Sequence, residues 1–392
     1  MPNWWRYGIA LPVHSDYGKM HSKHARDCHM KNKRFLILLL ALSVTAYYFW
    51  AQRVQPPPPL TTKEQQMIDT LFATTRPQCI GRYVFDVPAS FSNTLPDRAN
   101  INAVRISSKR LYRPAFEQRI RLREQELNAG HTVDKVDQPF LKQVYRLSDN
   151  AVIFDRNKNA SVPGFGRTLE GHLYINGVAF ILTQDITDYS DSRYTKDREL
   201  FLSDGSDPST ANNKPQKLAE LQNIMSRLSG RQNDEIPSGA GTCISEGFIR
   251  DDGGKQQEDI TFVYPHNNVF SLSVSTNTYL GDAKSMLERS NEIQPYINSV
   301  NGRSLRKAKT QIAGFEADEW LVTAPSEKAP GIPSAQLLFT AIANEKIVDF
   351  RHPIIDLTLN NYTLPPPAYS DAELVAIWDR ITCSFRLRQG AF

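Results

Sequence analysis

The chain has 392 residues, four cysteines and a formal net charge of +4, and 40% of its residues are hydrophobic. The positive charge is concentrated at the N-terminus. Residues 1–55 hold eight Lys or Arg and two Asp or Glu, which leaves 38 basic and 40 acidic residues in 56–392. A slightly acidic body lacks the basic footprint of a nucleic-acid-binding protein, so no nucleic-acid partner is expected.

The first predicted element is an N-terminal membrane segment. Residues 35–51 carry no charge and are rich in aliphatic and aromatic side chains, although a membrane-spanning helix usually needs about 20 residues. Basic residues precede the segment, which predicts a cytoplasmic N-terminus. We therefore expect a cytoplasmic extension at 1–34, with Met30 as an alternative start, and a transmembrane anchor or uncleaved signal at 35–51. A cleaved signal peptide is the alternative. In either case the globular part is expected to be exported.

Residues 52–70 are predicted to be a Pro-rich linker, because four consecutive prolines at 56–59 favour a stiff extended spacer. Residues 71–232 are predicted to form a first domain. A helix is predicted over 114–129, since Pro114 suits the first helical position and Gly130 suits the end. A closing helix is predicted over 215–229, and the polar stretch 185–214 is expected to be a long surface excursion. Strands are predicted at 83–87, 102–106, 143–147, 151–155, 167–175 and 178–184.

Residues 240–388 are predicted to form a second domain after a polar link. A helix is predicted to begin after Asp282 and to end before Pro295, and a closing helix is predicted to begin after Ser370. Strands are predicted at 260–264, 269–276, 317–323, 335–343 and 346–350.

Three short matches suggest that the two halves are duplicates. Ala219-Glu220-Leu221 recurs as Ala372-Glu373-Leu374, Gly164-Phe165 recurs as Gly314-Phe315, and Cys79 with Gly81 is loosely matched by Cys243 with Gly247. Ordered matches at similar spacing are the signature of a repeated unit. The predicted fold class is therefore α+β: two related domains, each a mostly antiparallel sheet with packed helices, after an N-terminal membrane segment.

Three cysteines lie in the predicted exported part, where an oxidising environment favours pairing. Cys243 opens the second half and Cys383 ends its closing helix, whereas Cys79 has no equivalent of Cys383 in the first half. We predict a disulfide between Cys243 and Cys383, with three reduced, buried cysteines as the alternative.

Catalytic signatures are absent. The sequence contains no Gly-x-Ser-x-Gly, His-Glu-x-x-His, Walker or Cys-x-x-Cys motif. The four histidines after Met30 are His131, His172, His266 and His352, and none is near another in sequence, although a triad can be assembled in space. No catalytic residue, cofactor or metal ligand is therefore predicted, and the protein is not expected to be an enzyme.

A basic run accompanies the first helix. It comprises Lys109, Arg110, Arg113, Arg119, Arg121 and Arg123. A solvated helix face is one interpretation, and an electrostatic docking patch for an acidic protein is the other.

The segment Cys79-Ile80-Gly81-Arg82-Tyr83, followed by Asp86-Val87-Pro88, resembles the start of type VI secretion lipase-immunity proteins, the Tle cognate immunity family. Further similar stretches are Asp234-Glu235-Ile236-Pro237, Gly241-Thr242-Cys243-Ile244 and Gly247-Phe248-Ile249. The resemblance covers about residues 70–388. The 1–29 extension and the lack of a lipoprotein cysteine depart from many relatives and concern only the mode of anchoring.

The resemblance implies a periplasmic immunity protein that binds a cognate phospholipase effector and occludes it, without chemistry of its own. It also implies that two domains clamp the effector near its lid. The cleft between the domains and the 185–214 excursion are candidate docking surfaces, and no individual effector-binding residue is predicted. An envelope hydrolase with a triad assembled in space and a structural envelope-assembly protein are the alternative functions.

Overall fold

The structure is a computed structural model, and it describes residues 54–91, 97–267, 269–326, 334–361 and 369–392. The predicted extension at 1–34 and membrane segment at 35–51 lie outside the described residues. Within the described ranges, no helix is both long enough and apolar enough to cross a membrane.

The first half begins with a helix inside the predicted linker. Thr61 and Glu64 form a capping box for this helix, in which each side chain satisfies a main-chain N–H at the start of the helix. The elements are α1 (Thr62–Leu71), β1 (Thr75–Ile80), β2 (Tyr83–Pro88), β3 (Arg98–Ile101), β4 (Val104–Arg110), α2 (Arg113–Ala129), β5 (Leu141–Ser148), β6 (Ala151–Asn157), β7 (Gly166–Ile175), β8 (Val178–Thr187), α3 (Thr195–Ser203), α4 (Lys214–Arg227) and β9 (Leu228–Gly230).

The second half repeats most of this order. Its closing helix begins at a second capping box, formed by Ser370 and Glu373. The elements are β10 (Gly241–Ile244), β11 (Gly247–Arg250), β12 (Glu258–His266), β13 (Phe270–Asn277), α5 (Ser290–Ser299), β14 (Arg303–Ile312), β15 (Phe315–Ser326), β16 (Ser334–Ala343), β17 (Ile354–Asn360), α6 (Asp371–Cys383) and β18 (Arg386–Leu387).

Twelve of the strands form one antiparallel sheet that runs through both halves. Its order is β14-β15-β16-β17-β13-β12-β3-β4-β8-β7-β6-β5, and β12 pairs with β3 at the centre. From the centre outwards, the first half contributes its strands in the order β3, β4, β8, β7, β6, β5. The second half contributes β12, β13, β17, β16, β15, β14, which is the same topology. The α+β class and the antiparallel pairing are confirmed, and the halves share one sheet.

The two smaller sheets show that the halves exchange their terminal strands. β9, at the end of the first half, pairs with β11 of the second half. β18, at the end of the second half, pairs with β2 of the first half. The opening hairpin of each half, β1–β2 or β10–β11, is therefore completed by the closing strand of the other half.

The predicted Cys243–Cys383 disulfide is wrong. Cys243 is bonded to Cys79, with a Cα–Cα distance of 5.7 Å, and Cys383 is free and exposed. The reason is that the two opening hairpins lie side by side. The main chains of Gly81 and Cys243 exchange two hydrogen bonds, of 2.9 and 2.7 Å. Cys79 and Cys243 therefore occupy equivalent positions and meet where the halves join, while Cys383 lies in the last turn of α6.

Buried arginines surround this junction. Arg231, just after β9, donates to the main-chain carbonyls of Cys79, Ile244 and Gly247 at 3.0–3.2 Å. Burial lowers the pKa of Arg231 to about 10. Arg388, just after β18, occupies the equivalent place and donates to carbonyls of the 237–241 segment. Since buried polar groups need partners, these arginines and the main-chain carbonyls at the junction satisfy each other.

Helices pack on both faces of the large sheet. Residues directly opposite each other in an antiparallel pair point to the same face, so the registers assign every strand residue to a face. The inner face packs against α4 and α6, as Phe339 and Trp378 show with ring centroids 6.1 Å apart. The outer face carries α2 over the first half and α5 over the second half.

Several predicted elements differ from the structure. The predicted strand 102–106 begins in the turn between β3 and β4, where Asn102 and Ala103 have positive φ, and only its residues 104–106 belong to a strand, β4. No strand forms at 346–350, while β14 and β17 were not predicted. The helix predicted to end before Pro295 instead runs through it. Its start is delayed because the main-chain N–H groups of Met286 and Leu287 donate to the carboxylates of Glu345 and Asp318.

One of the repeat matches is also coincidental. Gly314-Phe315 lies at the β14–β15 turn, whereas Gly164-Phe165 lies between β6 and β7. These places are not equivalent in the shared topology. The matches at the closing helices and at the cysteines are equivalent and reflect the duplication.

Candidate functional site

The outer face forms a surface between two helices. α2 and α5 lie on the same face, and the strands between them present short polar side chains. Ser273, Thr358 and Thr340 lie in one cross-strand row on this surface, and each is half-buried. We call the outer face between α2 and α5 the central surface. Burial raises the pKa of its Asp356 to about 6, although the Thr358 hydroxyl donates to this carboxylate at 3.0 Å.

A groove of about 670 Å³ runs along the edge of α2 next to the central surface. Ala115, Gln118 and Leu122 contribute to its helical wall, and His172, Ile181 and Thr183 of β7 and β8 contribute to its floor. We call it the α2 groove. A volume of this size is in the range of sites that accept several side chains or a small ligand.

Apolar contacts hold α2 on the sheet near both of its ends. Near its start, Phe116 stacks on Tyr174 with ring centroids 5.3 Å apart. Near its end, Leu127 packs in a small apolar cluster with Leu141, Val152 and Phe154. Phe116 and Leu127 are the buried residues of the helix, and the partly buried Ile120 packs against the Leu127 cluster. The groove therefore runs beside the helix, along the edge that carries Ala115, Gln118 and Leu122.

An ionic cluster fixes the middle of α2 to the sheet. Two atoms of the Arg123 guanidinium donate to the two oxygens of Glu170 at 2.8 Å. Arg156 and His172 also contact this carboxylate, at 2.6 and 2.9 Å. Burial alone would raise the pKa of Glu170, but the hydrogen bonds from Arg123 and His172 and the charge of Arg156 outweigh it and lower this pKa strongly.

The basic run predicted from sequence divides into two sets. Arg110 pairs with Glu246, Arg113 with Glu117, and Arg123 with Glu170. The other three members have no carboxylate within ion-pair distance in the part of the chain that the structure describes: Lys109, Arg119 and Arg121. Arg105 of β4 is also exposed without such a partner among those residues.

Both Arg105 and Lys109 border the α2 groove. Arg105 lies directly opposite Thr183 of the groove floor, and Lys109 lies opposite Ala179. Both therefore point to the outer face, and Arg119 on α2 lines the groove itself. The groove thus combines a partly apolar interior with a positively charged rim. The i, i+2 spacing of Glu170 and His172 within a predicted strand is a sequence signal that could have indicated a polar site here.

The four histidines do not form a catalytic triad. His172 contacts Glu170, His266 contacts the hydroxyl of Tyr369 at 3.0 Å, and His352 contacts the exposed Asp349. Burial lowers the pKa of His266. Over the described ranges, none of the four hydrogen-bonds to a serine, so the geometry provides no support for the hydrolase alternative. The same ranges contain no group of three or more His, Cys, Asp or Glu placed to hold a metal.

The excursion at 185–214 is a folded unit. β8 extends into it, and α3 forms most of its outer part. Tyr189 stacks on Phe165 with centroids 4.3 Å apart, and the Tyr194 hydroxyl donates to Asp137 at 2.7 Å. Leu200 on α3 remains 65% exposed. The excursion therefore presents a second partly apolar surface, on the loop side of β6 and β7.

Two family models match the chain: the N-terminal domain of Tle cognate immunity protein 4 over residues 76–231, and the C-terminal domain of the same family over residues 235–390. No curated protein matches the sequence significantly.

The fold resembles solved structures that share 18% sequence identity with the chain. The apo immunity protein TplEi of the T6SS from Pseudomonas aeruginosa has a TM-score of 0.63 and is matched over 80% of this chain and 97% of its own. A structure of TplEi complexed with an "L" peptide has a TM-score of 0.58, over 80% and 98%. The Tle4–Tli4 complex has a TM-score of 0.64, over 81% and 98%. Because the two family models together cover most of the sequence, the chain belongs to the Tle cognate immunity protein 4 family, whose members are immunity proteins and not enzymes.

Proposed function

We propose that this protein binds a cognate phospholipase effector of a type VI secretion system and occludes it, which protects the producing cell and its sisters. The observation that carries the proposal is the match of both family domains over residues 76–390. The similarity of the fold to a protein crystallised with Tle4 supports it. Occlusion requires a binding surface and no catalytic residue. This agrees with the structural contacts of His172, His266 and His352.

The outer face is the surface that we propose for docking. A standard protein–protein interface buries about 800 Å² on each partner, which requires a broad surface. The central surface, bordered by α2 and α5, spans strands of both halves. Because the halves share one sheet and a buried disulfide, this surface is preformed, which reduces the ordering cost of binding.

We also propose that the protein acts in the periplasm, anchored to the inner membrane by residues 35–51 or released there after cleavage. The basic residues before the apolar segment support this orientation. The buried Cys79–Cys243 bond also supports it, because disulfides persist in oxidising compartments.

The direct test is to express the cognate effector in the periplasm with and without this protein. We expect lysis by the effector alone and survival when both are present. In parallel, the purified protein should abolish phospholipase activity at about one equivalent. Unchanged lysis together with full phospholipase activity at excess protein would exclude the proposed function. Fractionation of the same cells, before and after a carbonate wash, tests the proposed anchoring.

A further inference from the structure

We propose that the α2 groove receives an acidic segment of the effector that inserts an apolar side chain, and that this contact determines which effector is recognised. The proposal rests on the function proposed above and specifies a docking site within it. It identifies the occupant by its chemistry: carboxylates for the rim of the groove, and an aliphatic or aromatic side chain for its interior.

The first argument is an asymmetry between the duplicated halves. In the second half, α5 packs closely on the sheet, since Ile293 and Ile297 are buried against Trp320. In the first half, the equivalent helix α2 leaves a groove of about 670 Å³ along one of its edges. Native interiors are normally close-packed. A groove beside α2 that the protein's own side chains leave open is therefore available to a partner.

The second argument is the apolar surface of the groove. Leu122 is 56% exposed at the groove wall, next to Ala115, and Ile181 of the floor is half-buried. A partner side chain placed between them would remove all three from water. Because α2 is fixed by Phe116, Leu127 and the Arg123–Glu170 pair, the groove does not have to form on binding, which favours affinity.

The third argument is the charge of the rim. Arg105, Lys109 and Arg119 border the groove without a carboxylate within ion-pair distance among the residues described. Two carboxylates line the groove, and both are already paired: Glu170 with Arg123 and Arg156, and Glu126 with Arg123. The groove therefore offers net positive charge to an incoming segment. Charge complementarity at a rim accelerates association and selects partners, so the expected partner segment is acidic.

The experiment uses the full-length chain and a catalytically inactive form of its cognate phospholipase effector. The test variant is the triple charge reversal R105E/K109E/R119E. A second variant, Ala115→Trp, fills the groove at an exposed helical position. Lys63→Glu is the control charge reversal, because Lys63 is exposed on α1, which contacts α6 on the inner face through the Asp69–Arg380 pair. Thermal unfolding of each variant shows whether the fold is retained.

Binding is measured by titration calorimetry at two salt concentrations, and the contact is located by a photocrosslinking amino acid at Leu122. We expect the triple reversal to weaken binding by at least tenfold at low salt, with a smaller salt dependence than the wild type, because rim charges act through screened attraction. Ala115→Trp should weaken binding by a similar factor at both salt concentrations. Lys63→Glu should bind like the wild type. The crosslink should lie in an acidic segment of the effector.

Equal binding by the wild type and both groove variants would refute the groove while leaving the proposed function in place. The same conclusion would follow if the crosslink at Leu122 gave no effector adduct while crosslinkers at Leu200 on α3 did. Failure of the wild-type protein to bind would instead refute the proposed function. If the triple reversal abolished sedimentation with phosphatidylglycerol vesicles but left effector binding unchanged, the rim would serve an anionic membrane, and the proposal would be wrong.

Discussion

The Cys79–Cys243 disulfide should be a major source of stability, and its removal by the double substitution C79A/C243A tests this. The bond closes a loop with a sequence separation of 164 residues. In the chain-entropy model, a loop of this length corresponds to about 5 kcal/mol of stabilisation, which is an upper value because measured effects are often smaller. Both cysteines are fully buried beside Val84 and Phe248, so alanine also removes packed sulfur atoms.

The assay is urea unfolding of the oxidised wild type, the double variant and the single variant Cys383→Ala. We expect the double variant to lose several kcal/mol, and the wild type in reductant to unfold like it. Cys383→Ala should stay within about 0.5 kcal/mol of the wild type, since Cys383 is free and exposed. Coincident unfolding curves for the oxidised wild type and the double variant would refute the reasoning. A large loss in Cys383→Ala alone would restore the Cys243–Cys383 pairing predicted from sequence.

Two carboxylates should give pH effects of opposite sign. Glu170→Gln should destabilise the protein by about 3 kcal/mol at pH 7, because it breaks a buried ionic cluster. The pKa of Glu170 is lowered in the fold, so its contribution is present above the unfolded pKa of about 4.3 and declines at lower pH; thermal melts should show the difference shrinking there. The pKa of Asp356 is raised to about 6, so its charged form is disfavoured in the fold. Asp356→Asn should therefore stabilise by about 1 kcal/mol at pH 8 and not at pH 4, and an equal effect at both pH values would contradict this.

The local elements of the fold could be read from the sequence to a large extent. The helices at α2, α4 and α6 have proline or serine at their starts, and the strands β6, β7, β8, β13 and β16 have apolar patterns bounded by turn residues. These signals act over a few residues, so they favour the same local helix or strand whatever the rest of the fold. β14 was missed because its sequence from Arg303 to Lys309 is highly charged. It pairs along its whole length with β15, and a sheet edge tolerates such charge.

The arrangement of the halves could not be read in the same way. The duplicated closing helices correctly indicated related units, but repetition does not show whether a strand completes its own half or the other half. That choice depends on contacts between residues more than 140 positions apart, such as Arg388 with Gly241. The same ambiguity explains the wrong disulfide, because the sequence shows that Cys79 and Cys243 are equivalent but not that they are in contact.

Only some features of the α2 groove could be predicted from the sequence. The sequence shows the basic run around α2, and a docking patch is one of its two interpretations. Which of its arginines are free depends on partners distant in sequence, such as Glu170 and Glu246. Sequence periodicity also cannot show that a groove runs along one edge of α2, because the groove arises from the shapes of the helix surface and of the sheet surface together.

The exchange of terminal strands predicts that neither half folds alone. A fragment of residues 54–233 would lack β18, which pairs with β2, and β12, which pairs with β3. It would also lack the disulfide partner of Cys79. The hydrogen-bonding edge of β3 would then be exposed, and such edges promote aggregation. The complementary fragment 234–392 would lack β9 beside β11.

We therefore expect each fragment, when expressed by itself in the periplasm, to be insoluble or to unfold without cooperativity. Co-expression should yield a soluble heterodimer that migrates as one species on a non-reducing gel and as two after reduction. The covalent link is the decisive readout, because it requires Cys79 and Cys243 to meet across the two chains. A fragment that is monomeric and cooperatively folded by itself would show that the exchanged strands contribute little. The shared sheet would then be an interface between independent domains, and the central surface could no longer be treated as a single preformed docking site.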